Sequence, residues 1–350
     1  MTTTMQWLFV AALAGLPLVM HDQYFFHVLI MMGIFTIGAM SLNLLLGYTG
    51  QLSLGHVAFF GIGAYTSALV SLGFDIQITE TYTFVLAPKP AWFSLICSVT
   101  LAGLCGWFIG KLSFRVRGAY FVIVTISFAE VVRLVALNWV DLTEGPMALN
   151  NIPPLATALP GFDSGPLQRK IVNYYIVLGV AVFSFLVIKR IIQSRLGRAM
   201  VALRENEALA KSVGIDVTRY LVLAAIASAA IAGAAGGLYA HYVRIVDPDV
   251  FLFIYTVTMV IMVVSGGKGT LAGPVVGGVI FGLLPEFLRG HTVPEVQWMI
   301  YGALMILIVY FLPQGIVPAV NKWWTAYRSK RDQVVATNVS LGRNPQEQEG

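Results

Sequence analysis

The chain has 350 residues, 57% of them hydrophobic and only 11% charged, with a formal charge of +5. Soluble domains carry about 25% charged residues, so this composition excludes a water-soluble globular protein and points to a chain solvated by lipid. The two cysteines, Cys97 and Cys105, lie eight residues apart in one apolar stretch, about 12 Å along a helix, which excludes a disulfide between them and leaves them as packing residues.

Crossing a hydrocarbon core takes about 20 residues of helix. Apolar stretches run over 5–20, 24–46, 56–72, 91–113, 118–137, 170–192, 220–242, 251–265, 271–288 and 296–312. They predict an all-α, polytopic transmembrane helix bundle of about ten membrane segments, forming one membrane domain over 1–320. The first stretch has no basic residue ahead of it and no small-residue cleavage site behind it, so it reads as a membrane helix and not a signal peptide.

After the second stretch, Gly47–Gly63 (GYTGQLSLGHVAFFGIG) places Thr49, Gln51, Ser53 and His56 among glycines. Two readings stand: a broken helix lining a solute pathway, or an inner-face loop followed by tight helix packing. The 118–137 stretch carries Glu130 and Arg133, three residues apart on one helix face in mid-span. A charge there marks either a pathway or a mutually neutralised pair facing another helix.

The proline-rich segment of about 138–169 follows as an irregular loop, and serves either as a connector or as a docking surface for an external partner. Beyond 170–192, the segment of about 195–219 differs in character. Ala199, Ala202, Leu203, Ala208, Leu209 and Val213 form an apolar stripe, while Arg198, Arg204, Glu205, Asn206, Glu207 and Lys211 are polar. This spacing predicts one short amphipathic helix ended by Gly214. It either lies flat on lipid or inserts as a coupling helix into a groove on a cytosolic partner, and its acidic residues and small alanines favour the partner.

A second glycine-rich turn, SGGKGTLAGPVVGGVIFG from Ser265, precedes a small-residue helix in the other half of the chain and hints at two related halves. Gly-x-x-x-Gly pairs at 106/110, 233/237, 273/277 and 278/282 allow close helix packing. The 321–350 tail begins with aromatic and basic residues suited to an inner interface and ends in a polar, disordered stretch.

With the N-terminus inside, 16 of the 22 lysines and arginines fall on the cytoplasmic side. Both termini are then cytoplasmic, and the net positive charge reflects orientation in the membrane without any need for nucleic acid. No phosphate-binding loop survives inspection: the Lys268 in SGGKGT is followed by Gly269, and Met262 occupies the position of the first glycine. The five histidines show no metal-ligand spacing, and no catalytic group is convergent. The chain is expected to bind no cofactor or metal and to draw energy from a partner or an ion gradient.

Taken together, GYTGQLSLGHVAFFGIGAY from Gly47, RVRGAYFVIVTISFAEVVRLVAL from Arg115, ALRENEALAKSVGIDVT from Ala202 and SGGKGTLAGPVVGG from Ser265 resemble the permease subunit of branched-chain amino acid ABC importers, LivM type. The resemblance implies a multi-pass protein of the cell inner membrane that is not itself an enzyme. It implies a homologous sister permease, two cytosolic ATPase subunits that bind ATP and magnesium, and an extracytoplasmic solute-binding protein. The RENEALAKSVGI segment would contact the ATPase. The implied solute is a branched-chain or other hydrophobic amino acid, although similar permeases serve urea, short amides or aromatic acids. An ion-coupled secondary transporter using Glu130 is the competing class. In one place the pattern departs. Members carry a Gly-Gly-x-x-Gly-like run after the Leu-Thr of the outer loop, whereas here Leu142-Thr143 continues Glu144-Gly145-Pro146-Met147-Ala148.

Overall fold

A computed structural model describes residues 11–17, 22–79, 82–116, 118–155, 166–289 and 293–325. Its helices are α1 (Gln23–Leu46), α2 (Val57–Leu72), α3 (Ala91–Ser113), α4 (Ala119–Asn138), α5 (Pro166–Gln193), α6 (Arg195–Glu205), α7 (Glu207–Ser212), α8 (Val217–Val243), α9 (Phe253–Gly266), α10 (Gly273–Arg289) and α11 (Pro294–Phe311). Nine of the ten expected apolar stretches coincide with α1 to α5 and α8 to α11. The stretch at 5–20 is described only over 11–17, where it is helical. Most of the expected tail, 326–350, lies outside the described residues.

Among the described residues, six helices are long and apolar enough to cross a membrane, whereas α2, α9 and the apolar part of α10 are shorter. At 1.5 Å per residue, the 16 residues of α2 reach about 24 Å and the 14 of α9 about 21 Å, both less than a hydrocarbon core of about 30 Å. The sequence reading of about ten full segments is coarser than this mixture of long and short helices. One addition to the helical bundle is a hairpin between α2 and α3, in which Phe74–Thr79 pairs antiparallel with Tyr82–Leu86. Its β-branched and aromatic residues favour extended chain, a signal that a search for apolar spans passes over.

Helices α1 and α8 form the centre, and α2, α3 and α8 pack as one group while α1, α5, α9 and α10 form another. The composition of α8 explains its position. Its run of alanines and glycines offers almost no side-chain bulk, so neighbouring backbones approach closely. A Cβ on Gly236 would overlap the carbonyl oxygen of Phe60 in α2, and one on Gly233 would overlap Ala102 of α3. Large side chains from α1 and α2, including Phe26, Ile30, Ile34 and Phe60, then fill the interior with no exposed surface. Helix α11, by contrast, lies at the periphery, touching α9 and α10 through residues such as Tyr301 and leaving most of its surface exposed.

The segment after α4 is irregular, as its prolines predict, yet it is pinned. Leu149 pairs with Val246, Arg244 Nε donates to Ile152 O at 3.1 Å, and His241 Nδ1 bonds Pro153 O at 2.7 Å. Since a carbonyl only accepts, Nδ1 carries the hydrogen, and Nε2 accepts from Ser67 Oγ at 2.9 Å. Backbone φ is positive at Glu144 (57°), Gly145 (53°) and Ala148 (63°). These are the positions at which the family resemblance places glycines, so at two of the three, Glu144 and Ala148, this chain keeps positive φ without the residue that adopts it freely. A non-glycine residue there costs about 1–2 kcal/mol. The Glu144→Gly/Ala148→Gly double variant is therefore expected to unfold at a higher temperature than the unaltered protein in detergent, as read by a thermal shift assay.

Candidate translocation and coupling site

The glycine-rich segment after α1 is a buried, non-helical break between α1 and α2. Residues 47–56 are non-helical, yet Tyr48, Thr49, Ser53 and His56 are all buried. His56 Nε2 lies 2.7 Å from Ser41 Oγ, which is five residues, or about 7.5 Å, before the end of α1. Gly55 abuts the Thr125 backbone, one and a half turns inside α4. Val57 N, the first amide of α2, donates to Thr256 Oγ1 of α9 at 3.0 Å. The chain thus dips inward before α2 begins, and its free backbone groups find partners in neighbouring helices.

Ser41 Oγ donates to Gly38 O at 2.6 Å, so it accepts from His56 Nε2–H, which leaves Nδ1 with the lone pair. That Nδ1 is fully buried with no hydrogen-bond partner. Thr49 Oγ1 bonds back to Leu45 O at 2.7 Å. Of the four polar residues singled out in this segment, only Gln51 is partly exposed. The structure gathers Thr49, Ser53 and His56 into the interior and places none of them on an open passage in this conformation.

The amphipathic segment is corrected in shape. In place of one helix running to Gly214, two short helices, α6 and α7, meet at an extended Asn206 with φ −158° and ψ 104°. Asn206 Oδ1 caps α7 by accepting from Leu209 N at 3.0 Å, which is why the helix restarts there. The break turns the apolar stripe. Ala199 and Leu203 are buried against the bundle, whereas Leu209 and Val213 are 62% and 70% exposed. Arg198 bonds Gln193 O at 3.3 Å, Lys211 is exposed, and Gly214 closes the segment at φ 86°.

Three elements converge on Arg204. Its Nη1 donates to Gly47 O at 2.8 Å, at the end of α1, while Nη2 pairs with Glu205 at 2.6 Å. Gly269, in the turn between α9 and α10, lies so close that a Cβ there would overlap Arg204 Nη1. Asn43 of α1 completes the junction, accepting from Gly269 N and donating to Thr270 O, both at 2.9 Å. Burial raises the Tyr48 phenol above its usual range, with Arg204 opposing the shift in part. The two glycine-rich turns that the sequence suggested as related are thus joined to each other, and to the α6–α7 segment, through Asn43 and Arg204. Asn43 was missed in the sequence, although an amide inside the 24–46 apolar run was a signal to find it.

Glu130 and Arg133 do pair, at 3.3 Å, but on the outside of α4, with side-chain exposures of 53% and 24%. They are remote from the break in one sense only: α4 turns its buried stripe of Phe121, Thr125, Ala129 and Ala136 to the bundle and the charged pair away from it. Elsewhere, a cavity of about 310 Å³ lies between α1, α5 and α10. It is walled by Met32, Val177, Phe185, Val275 and Ile280, with Lys189 in its lining. Among the described residues its lining holds no carboxylate to meet an α-amino group.

The family described as branched-chain amino acid transport system, permease component, matches residues 24–309 of the chain. The chain belongs to this family. It is a membrane permease component, a transport subunit with no reaction of its own to catalyse. The LivM permease protein of the high-affinity branched-chain amino acid transport system of Salmonella typhimurium is 32% identical over 303 residues, covering 81% of this chain and 68% of that protein. A probable LivM of Methanocaldococcus jannaschii is 26% identical, covering 83% of this permease and 92% of the relative. The LivH permease protein of the Salmonella typhimurium system is also 26% identical, covering 87% and 100%. No solved structure matches the permease.

Proposed function

We propose that this permease carries branched-chain or other hydrophobic amino acids inward across the cell inner membrane, within an ATP-driven importer. Its partners are a homologous permease, two cytosolic ATPase subunits that hold ATP and magnesium, and an extracytoplasmic binding protein that delivers the solute. Both termini and the α6–α7 segment lie on the cytoplasmic side, and the pinned loop at 139–155 forms a firm platform on the outside for the binding protein. The relatives named for branched-chain amino acid transport support the solute class. Urea, short amides and aromatic acids remain the alternatives that an uptake assay separates.

The observation that carries this reading is the broken α6–α7 pair. It offers two apolar side chains, Leu209 and Val213, to a partner while Arg204 ties the same segment to the ends of α1 and the α9–α10 turn. An ATPase that moves α7 then moves the bundle, and alternating access follows if its ATP-bound and ATP-free states hold the segment differently. Glu130, already paired with Arg133, gives an ion-coupled mechanism no lone carboxylate to work with.

Fully burying an aliphatic side chain is worth about 1.5–3 kcal/mol, so losing two from a partner groove removes most of a docking energy. Leu209→Asp/Val213→Asp is expected to abolish co-purification of the ATPase while the permease still reaches the membrane. Undiminished co-purification would overturn the assignment of this surface.

A further inference from the structure

The outward face of α4 combines features that lipid does not accommodate. Helix α4 is 20 residues long and Glu130 is its twelfth, with Arg133 one turn further on. In the other long helices, charged residues sit within about a turn and a half of an end, where they reach the interface. A charge held at mid-membrane is costly, and such residues turn to a protein interior or a wet cavity. Here the pair lies on the side of α4 turned away from the bundle, where Glu130 keeps about half of its side chain exposed and Arg133 about a quarter.

The same face carries Ile123, Ile126, Ser127 and Leu134, all exposed. Contrast the outward faces of α3 and α5, where Leu104, Phe108 and Phe183 are equally exposed without a charge among them. Those faces suit acyl chains. The α4 face needs a protein surface that is apolar over most of its area and supplies hydrogen-bond donors and acceptors at the level of Glu130 and Arg133.

We infer that the Ile123–Leu134 face of α4 packs against the homologous permease subunit, with the Glu130–Arg133 pair at the boundary between the two chains. The position of the pair in the middle of α4 selects the occupant. An ion pair at mid-depth is satisfied by another membrane helix with its own polar groups, and not by a soluble ATPase or an external binding protein. The family supplies such a chain: in Salmonella typhimurium, two permease proteins bearing the name of one transport system, LivM and LivH, are both similar to this one. Placement follows as well. The inner stripe of α4 presses on Gly55 and so on the break between α1 and α2, which makes α4 the wall between that break and the partner.

This inference rests on the importer reading above, and the test keeps the two apart. Cys97 and Cys105 are replaced by alanine, a single cysteine is introduced by Ser127→Cys or Leu134→Cys, and a thiol-attached benzophenone is photolysed in membranes holding the whole complex. The expected result is an adduct with the mass of this chain plus the homologous permease from Ser127→Cys and Leu134→Cys, and none from Phe183→Cys on the acyl-facing side of α5. An adduct of two copies of this chain, an adduct with lipid alone, or equal yields from all three positions would overturn the inference. Leucine uptake is measured in the same cells: uptake without the adduct sinks the interface and leaves the importer, whereas the adduct without uptake of any amino acid keeps the interface and sinks the importer.

Discussion

Arg204→Ala is expected to uncouple the permease from its ATPase: in proteoliposomes holding the complete complex, ATP hydrolysis persists while solute moved per ATP falls about tenfold. The reason lies in what Arg204 holds. Its guanidinium is the direct hydrogen bond between the α6–α7 segment and the end of α1, and it fills the space beside Gly269. Truncation leaves Gly47 O without that donor, a loss of about 1–3 kcal/mol for a buried acceptor. About 1.4 kcal/mol is a factor of ten in any equilibrium the contact biases. Arg204→Lys keeps the charge but not the fork that meets Gly47 O and Glu205 together, so it is expected to restore part of the coupling. If transport per ATP is unchanged in Arg204→Ala, the junction is a structural detail and the motion travels by another route.

How far the sequence led to these results differs from element to element. The bundle was legible because hydrophobicity is the one property lipid demands along a whole helix, and the 91–113 stretch matches α3 end to end. The α6–α7 break was not. The spacing of Ala199, Leu203, Ala208 and Val213 fits a continuous helix, and the single residue that interrupts it, Asn206, is an ordinary polar residue on such a face until its side chain is seen capping α7. The junction at Arg204 was half legible. Glycines at 47 and 269 announced turns, and Arg204 was marked as part of a coupling segment, but only the folded chain brings positions 47, 204 and 269 within a hydrogen bond of one another. Sequence separation hides such contacts because nothing local requires them.

The candidate pathway residues show the opposite limit. Thr49, Ser53 and His56 stood out as polar groups between apolar runs, and the fold buries all three, with Thr49 bonded to the backbone of α1 and His56 to Ser41. Polarity in a membrane segment identifies a place where the chain departs from regular helix. It does not say whether water, solute or another helix answers it. Glu130 and Arg133 were equally ambiguous in sequence, and their exposure on α4 is what separates them from the buried set.

Close backbone contact sets the second large effect. Gly236 of α8 faces Phe60 of α2, and Gly55 faces Thr125 of α4, each with a carbonyl oxygen where a Cβ would go. A backbone carbonyl cannot rotate away as a side-chain tip can, so helices must separate to admit one methyl group. Overpacking of this kind costs about 1–3 kcal/mol, and more where neither partner can yield. Gly236→Ala and Gly55→Ala are therefore each expected to cut the yield of folded permease severalfold and to lower its unfolding temperature in detergent. Gly179 in α5 is the control, because its Cβ would meet nothing within 4 Å. Gly179→Ala should leave stability unchanged or raise it by about 0.5–1 kcal/mol, since a helical glycine gives up more conformational freedom than alanine. Equal losses at all three positions would mean that glycine serves helix flexibility in this bundle, and that the close crossings of α2 with α8 and of the break with α4 tolerate a wider fit.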